Sequence, residues 1–137
     1  MPRSFTFVLA LLIGAALPAA AATPAPVTLP DGLSYRTLRA GHGPRPQPGQ
    51  TLTVNYTGRF VDGRKFDSSV DRHEPFSFVL GGHHVIPCWE EGVASMRVGE
   101  RRELICPPAL AYGERGAGGV IPPNATLHFD VELLGVK

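Results

Sequence analysis

Apolar and polar residues alternate most cleanly in two stretches. In residues 51–60 (TLTVNYTGRF), Leu52, Val54, Tyr56 and Phe60 share one face and Thr53, Asn55 and Thr57 the other. In residues 127–133, Leu127, Phe129, Val131 and Leu133 alternate with His128, Asp130 and Glu132. A period of two predicts strands with one buried face. Residues 33–38, 76–80 and 100–106 predict three more. Asp62-Gly63 predicts a turn, after which Phe66 resumes the apolar pattern, and Gly81-Gly82 ends the strand that begins at Phe76. The one helical pattern is residues 88–96 (CWEEGVASM), where Trp89, Val93 and Met96 share a face. Pro87 suits its start, and Glu90 and Glu91 favour its first turn. Two to three turns cannot stand alone, so the helix must pack on the sheet. The prediction is an α+β domain: an antiparallel β-sheet of about five strands around one short α-helix.

The segments between are rich in proline and glycine. Residues 23–31 (TPAPVTLPD) predict an extended, mobile linker. Residues 41–49 (GHGPRPQPG) predict a turn between strands, with a proline-motif ligand as the alternative. Residues 107–124 predict a long irregular loop.

Residues 1–22 do not fit this picture. Arg3 is their only charge, residues 5–17 are almost wholly apolar, and Ala20-Ala21-Ala22 offers a small-x-small cleavage site. That is the plan of a secretory signal peptide. The apolar run falls short of the roughly 20 residues that span a bilayer. The expected division is a signal peptide over 1–22, a Pro-rich linker over 23–31 and one domain over 32–137. Removing 22 residues from 137 leaves 115, with 12 basic and 12 acidic side chains. A neutral domain without basic clusters argues against nucleic acid or an anionic membrane as partner. Two cysteines do not make a disulfide scaffold.

Standard chemistries lack their residues. No G-x-S-x-G turn marks a nucleophile, and Cys88 and Cys106 do not form C-x-x-C. His42, His73, His83, His84 and His128 contain no H-x-x-x-H pair. His83 and His84 are expected to point apart on an extended chain and to be solvated loop side chains, not metal ligands. The glycines of residues 113–119 do not lead from a strand into a helix, as a phosphate-binding turn must. What remains is a set of aromatics, including Tyr112 in the irregular loop, and a carboxylate, Asp67, directly after Phe66. An aromatic concavity with a few polar groups is the usual form of a ligand pocket.

Six blocks carry a resemblance: Tyr56-Thr57-Gly58; Phe66-Asp67-Ser68-Ser69; Val85-Ile86-x-x-Trp89-x-Glu91-Gly92; Ala111-Tyr112-Gly113; Ile121-Pro122-Pro123-x-Ala125-Thr126-Leu127; and Phe129-Asp130-Val131-Glu132-Leu133. In order and spacing they resemble the FKBP-type peptidyl-prolyl isomerases, immunophilins that bind macrolides such as tacrolimus and rapamycin. The resemblance covers about residues 33 to 136. It implies a twisted antiparallel sheet wrapped around one short helix. The substrate proline would sit over Trp89, walled by Tyr56, Phe76, Val85, Ile86 and Phe129. Phe66 and Asp67 would line the mouth and Tyr112 would cap it. The Ile86 N–H and the Tyr112 hydroxyl would bond ligand carbonyls, Arg72 would orient Asp67 and Tyr56, and Val120 and Ile121 would touch the ligand from the loop tip. Tyr56, Asp67 and Tyr112 are the expected catalytic group.

The implied reaction explains the missing nucleophile. Rotation about an X–Pro amide breaks no bond, so neither metal nor cofactor is expected. Its barrier of about 18–20 kcal/mol comes from C–N resonance. An apolar pocket disfavours the planar, dipolar ground state relative to the less polar twisted one. Expected partners are proline-containing polypeptides folding outside the cytoplasm and macrolide inhibitors, with no nucleic acid and no membrane after signal cleavage. The alternative is a peptide- or macrolide-binding module with negligible turnover. The chain is expected to be a monomer, exported to a bacterial periplasm or otherwise secreted. The end Gly135-Val136-Lys137 carries no retention signal for the endoplasmic reticulum. The resemblance also places the helix start near the strand ending at Cys106, which admits a Cys88–Cys106 disulfide in an oxidising compartment, with two buried thiols as the other reading. Ala117 in a Gly-Ala-Gly-Gly run makes the loop tip smaller than in some relatives.

Overall fold

The computed structural model describes residues 24–137. The signal-peptide expectation for residues 1–22 lies outside the described residues. In chain order the elements are β1 (Val27–Thr28), β2 (Ser34–Arg39), β3 (Thr51–Phe60), β4 (Lys65–Ser68), β5 (Phe76–Val79), α1 (Pro87–Gly92), β6 (Arg101–Cys106), a 3-10 turn (Pro108–Leu110) and β7 (Leu127–Val136).

All strands pair antiparallel in one sheet of order β1-β2-β6-β7-β3-β4, with β5 also on β3. The two predicted alternating strands, β3 and β7, lie side by side at its centre. Leu52, Val54 and Tyr56 face the core with Phe129, Val131 and Leu133, as period-two patterning requires. The second edge of β3 is divided: β5 pairs with residues 51–54 and β4 with residues 57–59. Tyr56, at the junction, is held by Ser69. The Ser69 N–H donates to the Tyr56 carbonyl (3.0 Å), and the Tyr56 N–H donates to Ser69 Oγ (2.8 Å).

The sheet has seven strands, not about five. The two additions, β1 and β4, are two and four residues long, too short to show a period. β1 lies inside the segment predicted as a mobile linker, and there the backbone pairs with β2. The Pro-rich segment 41–49 is a connection docked along residues 98–100. Gly43 and Val98 exchange backbone bonds with Val98 and Pro44, and a Cβ on Gly41 would fall 2.4 Å from the Glu100 nitrogen.

The helix is shorter than its periodicity suggests, ending at Gly92 instead of Met96. Continuation would pair the Gly92 carbonyl with the Met96 N–H. The buried Arg102 guanidinium takes that carbonyl instead (3.0 Å), and Met96 turns back to Val93. Arg102 is itself held by buried Glu100 (2.7 Å) and by Ser95, and lies 4.1 Å over the Tyr35 ring. Val93 and Met96 remain fully buried beyond the helix end. Gly92 lets the helix meet the sheet, since a Cβ there would sit 2.6 Å from Leu104. Cys88 in the first helical turn is joined to Cys106 at the end of β6, with a Cα–Cα distance of 5.7 Å.

Candidate active site

Between α1, the centre of the sheet and the long loop lies a cavity of about 330 Å³. Tyr56, Phe66, Asp67, Phe76, Val85, Ile86, Trp89, Tyr112 and Phe129 line it, together with His83 and His84. Its floor is Trp89, 4% exposed, one residue after the disulfide-linked Cys88. Tyr56, Phe129 and Phe76 meet Trp89 edge-to-face at centroid distances of 4.8, 5.3 and 5.9 Å. That geometry sets ring edges against ring faces and fixes the walls at favourable quadrupole contacts. Among the described residues the Trp89 indole N–H is buried without an acceptor.

Gly58 makes the far wall possible. It stands opposite Phe129 in the β3–β7 register, and a Cβ there would lie 2.6 Å from Phe66 and 2.9 Å from Phe129. The absence of a side chain lets these rings meet edge-to-face at 5.7 Å.

The near wall is the segment joining β5 to α1. The Glu90 carboxylate reaches back from the helix and accepts the N–H groups of Gly81 (2.7 Å) and His83 (3.0 Å). Pro87 opens the helix, so Ile86 is extended, and its carbonyl accepts the Trp89 N–H (2.9 Å). Among the described residues the Ile86 N–H has no acceptor, so it remains a donor at the cavity wall. His83 adopts φ +55°, a left-handed conformation uncommon outside glycine. This bend cancels the expected alternation, and both His83 and His84 line the cavity instead of pointing apart.

Asp67 organises the polar rim. The Tyr56 hydroxyl donates to its Oδ2 (2.5 Å), and the Arg72 guanidinium bonds its Oδ1 and the Tyr56 oxygen (3.1 Å). Burial alone would raise the Asp67 carboxyl, but the bonds from Tyr56 and Arg72 outweigh it and hold the group below the usual carboxylate range. Burial, with Asp67 beside them, pushes the Tyr56 and Tyr112 phenols up. The rim therefore presents an ionised carboxylate and two neutral phenols at neutral pH.

The predicted residues do not all converge. Arg72 bonds two lining residues but does not line the cavity. Val120 and Ile121 line an adjacent cavity of about 450 Å³ with Phe60, Arg64 and Arg115. Gly58, Ser69 and Glu90 also position the site. Gly58 and Ser69 belong to the Tyr56-Thr57-Gly58 and Phe66-Asp67-Ser68-Ser69 blocks, which is the signal the sequence carries for them.

Residues 43–134 match the family model for FKBP-type peptidyl-prolyl cis-trans isomerase. The chain belongs to that family. It is 53% identical over 112 residues to the peptidyl-prolyl cis-trans isomerase Fkbp12 of Drosophila melanogaster, covering 82% of this chain and 94% of the relative. The crystal structure of FkpA from Escherichia coli is similar at TM-score 0.76 and 48% identity. That match covers 82% of this chain and 51% of FkpA, so the present chain spans about half of that protein. The crystal structure of AtFKBP13 is similar at TM-score 0.79 and 36% identity, over 83% of this chain and all of that one. The chain is thus an FKBP-type peptidyl-prolyl cis-trans isomerase with the fold of the family.

Proposed function

We propose that the Trp89-floored cavity is where this FKBP turns the X–Pro bond, and that it acts on exported polypeptides. The observation that carries the site is the joining of an aromatic basin floored by buried Trp89 to an ordered polar rim. Trp89, Tyr56, Phe76, Val85, Ile86 and Phe129 exclude water from the proline ring. The planar amide loses solvation of its charge-separated form there, and the twisted state loses less. The Ile86 N–H and the Tyr112 hydroxyl take the carbonyls on either side of the rotating bond. Asp67, fixed by Tyr56 and Arg72, holds the mouth in shape beside Phe66. Val120 and Ile121 meet substrate that extends over the loop tip. The same basin suits macrolides, which share its demand for apolar enclosure with a few hydrogen bonds.

Export rests on the sequence of residues 1–22, and a bacterial periplasm is the proposed destination. In that oxidising compartment the Cys88–Cys106 bond is formed.

The test is isomerisation of a short Xaa-Pro peptide, with and without rapamycin. Trp89→Leu should fold, yet lose about tenfold or more in kcat/KM, equivalent to about 1.4 kcal/mol of transition-state stabilisation. A folded Trp89→Leu protein with the full rate would overturn this site. Retained peptide binding without turnover in the unaltered protein would leave a binding module.

A further inference from the structure

His83 and His84 lie in the segment joining β5 to α1. The structure leaves them exposed but brings both to the mouth of the cavity. Two features hold them there. Glu90 spans the Gly81 and His83 N–H groups, and His83 keeps a left-handed φ that side chains with a Cβ ordinarily avoid. Strain of this kind persists where surrounding contacts over-determine it, and it clusters at ligand sites. Gly82 completes the arrangement, since a Cβ there would lie 2.8 Å from the His84 ring.

We infer that His83 and His84 form a recognition subsite for an acidic side chain flanking the substrate proline, one that strengthens as the medium becomes acidic. This rests on the cavity being the substrate site. Imidazole is the side chain whose charge ordinarily changes between about pH 5 and 8. The charged and titratable groups around it are few. From β4 comes Asp67, already bonded to Arg72 and to the Tyr56 hydroxyl of β3. From the long loop comes the Tyr112 phenol, and from α1 the Glu90 carboxylate, occupied by two backbone donors. β5 contributes only Phe76, Ser77, Phe78 and Val79, none of them charged. Near pH 8 the mouth carries the Asp67 carboxylate, paired with Arg72, and the Glu90 carboxylate, whose two backbone donors leave its charge in place. On acidification the two imidazoles add positive charge on the wall that holds the Ile86 donor. An acidic neighbour of the proline is then attracted, and a basic one repelled.

The experiment compares peptides that differ only in Glu, Gln or Lys beside the proline, placed before it or after it. With the whole processed chain, the ratio of kcat/KM for the Glu and Gln peptides should rise about threefold between about pH 8 and pH 5.5, as an exposed charge pair allows. The Lys-to-Gln ratio should fall. Using a ratio removes every pH effect common to the peptides, including the titration of Glu91. His83→Asn with His84→Gln should flatten both ratios; Asn tolerates the left-handed backbone at position 83, and circular dichroism checks the fold. Ratios that stay level in the unaltered protein, or that move equally in the variant, would refute the subsite. If the Gln peptide is not turned over at either pH, the cavity assignment fails first and the subsite with it.

Discussion

Gly58→Ala tests whether one missing methyl group holds the active site open. The added carbon would stand 2.6 and 2.9 Å from Phe66 atoms and 2.9 Å from Phe129. Carbon atoms pack best at about 3.5–4.0 Å, so the rings must retreat by about 1 Å. Phe129 cannot yield easily, being 4% exposed on a strand paired on both sides. Phe66 can: it lies half-buried on four-residue β4 and would be driven towards Phe60, now 4.8 Å away between centroids. Overpacking of this kind costs about 1–3 kcal/mol of stability. Because Asp67 follows Phe66, the same displacement pulls the carboxylate from the Tyr56 hydroxyl, and kcat/KM should fall about tenfold. Urea unfolding can be followed by the fluorescence of Trp89, the single tryptophan in the chain. Gly135→Ala is the control, since among the described residues nothing lies within 4 Å of a Cβ there. A Gly58→Ala protein matching that control in both stability and rate would refute the argument.

Two further outcomes are expected. Cys88→Ala with Cys106→Ala removes a closure across 18 residues, which the chain-entropy model values at about 3 kcal/mol. Urea midpoints should show the loss, and an oxidised protein no more stable than the double variant would contradict it. The Glu91 carboxyl is pushed up to about 7 by its hydrogen bond with Asp31 and by burial. The folded state therefore keeps this proton where the unfolded chain has lost it, so stability falls as pH rises from about 4.5 to about 7. Glu91→Gln removes that loss and should be the more stable protein at about pH 8, with the difference shrinking towards pH 4. A difference independent of pH would count against the shared proton.

The central strands were legible because their burial follows strict alternation. β1 and β4 escaped because a period cannot show in two or four residues. The helix end was displaced by a tertiary contact: nothing near Gly92 announces that Arg102, ten residues on, will take its carbonyl. At the site, the aromatic walls followed from the motif blocks. The histidine pair did not, because a left-handed φ at His83 is imposed by Gly81 and Glu90 and has no local signature. Val120 and Ile121 border a second cavity because the loop bearing them curls around Gly116, whose own Cβ would strike the Ile121 carbonyl at 2.2 Å, a close approach that no periodicity announces.

The place of β7 has a consequence for the birth of the molecule. It is the last strand to be made, yet it lies between β6 and β3 at the heart of the sheet. Until it arrives, β6 and β3 each present a bare edge and share no partner. Strand pairings this distant in sequence make folding slow and leave intermediates prone to aggregate. A nascent chain cannot close this domain piece by piece from its N-terminus. The pairings of β7 with β3 and β6 wait for residues 127–136, so the centre of the sheet is the last part of it to be completed.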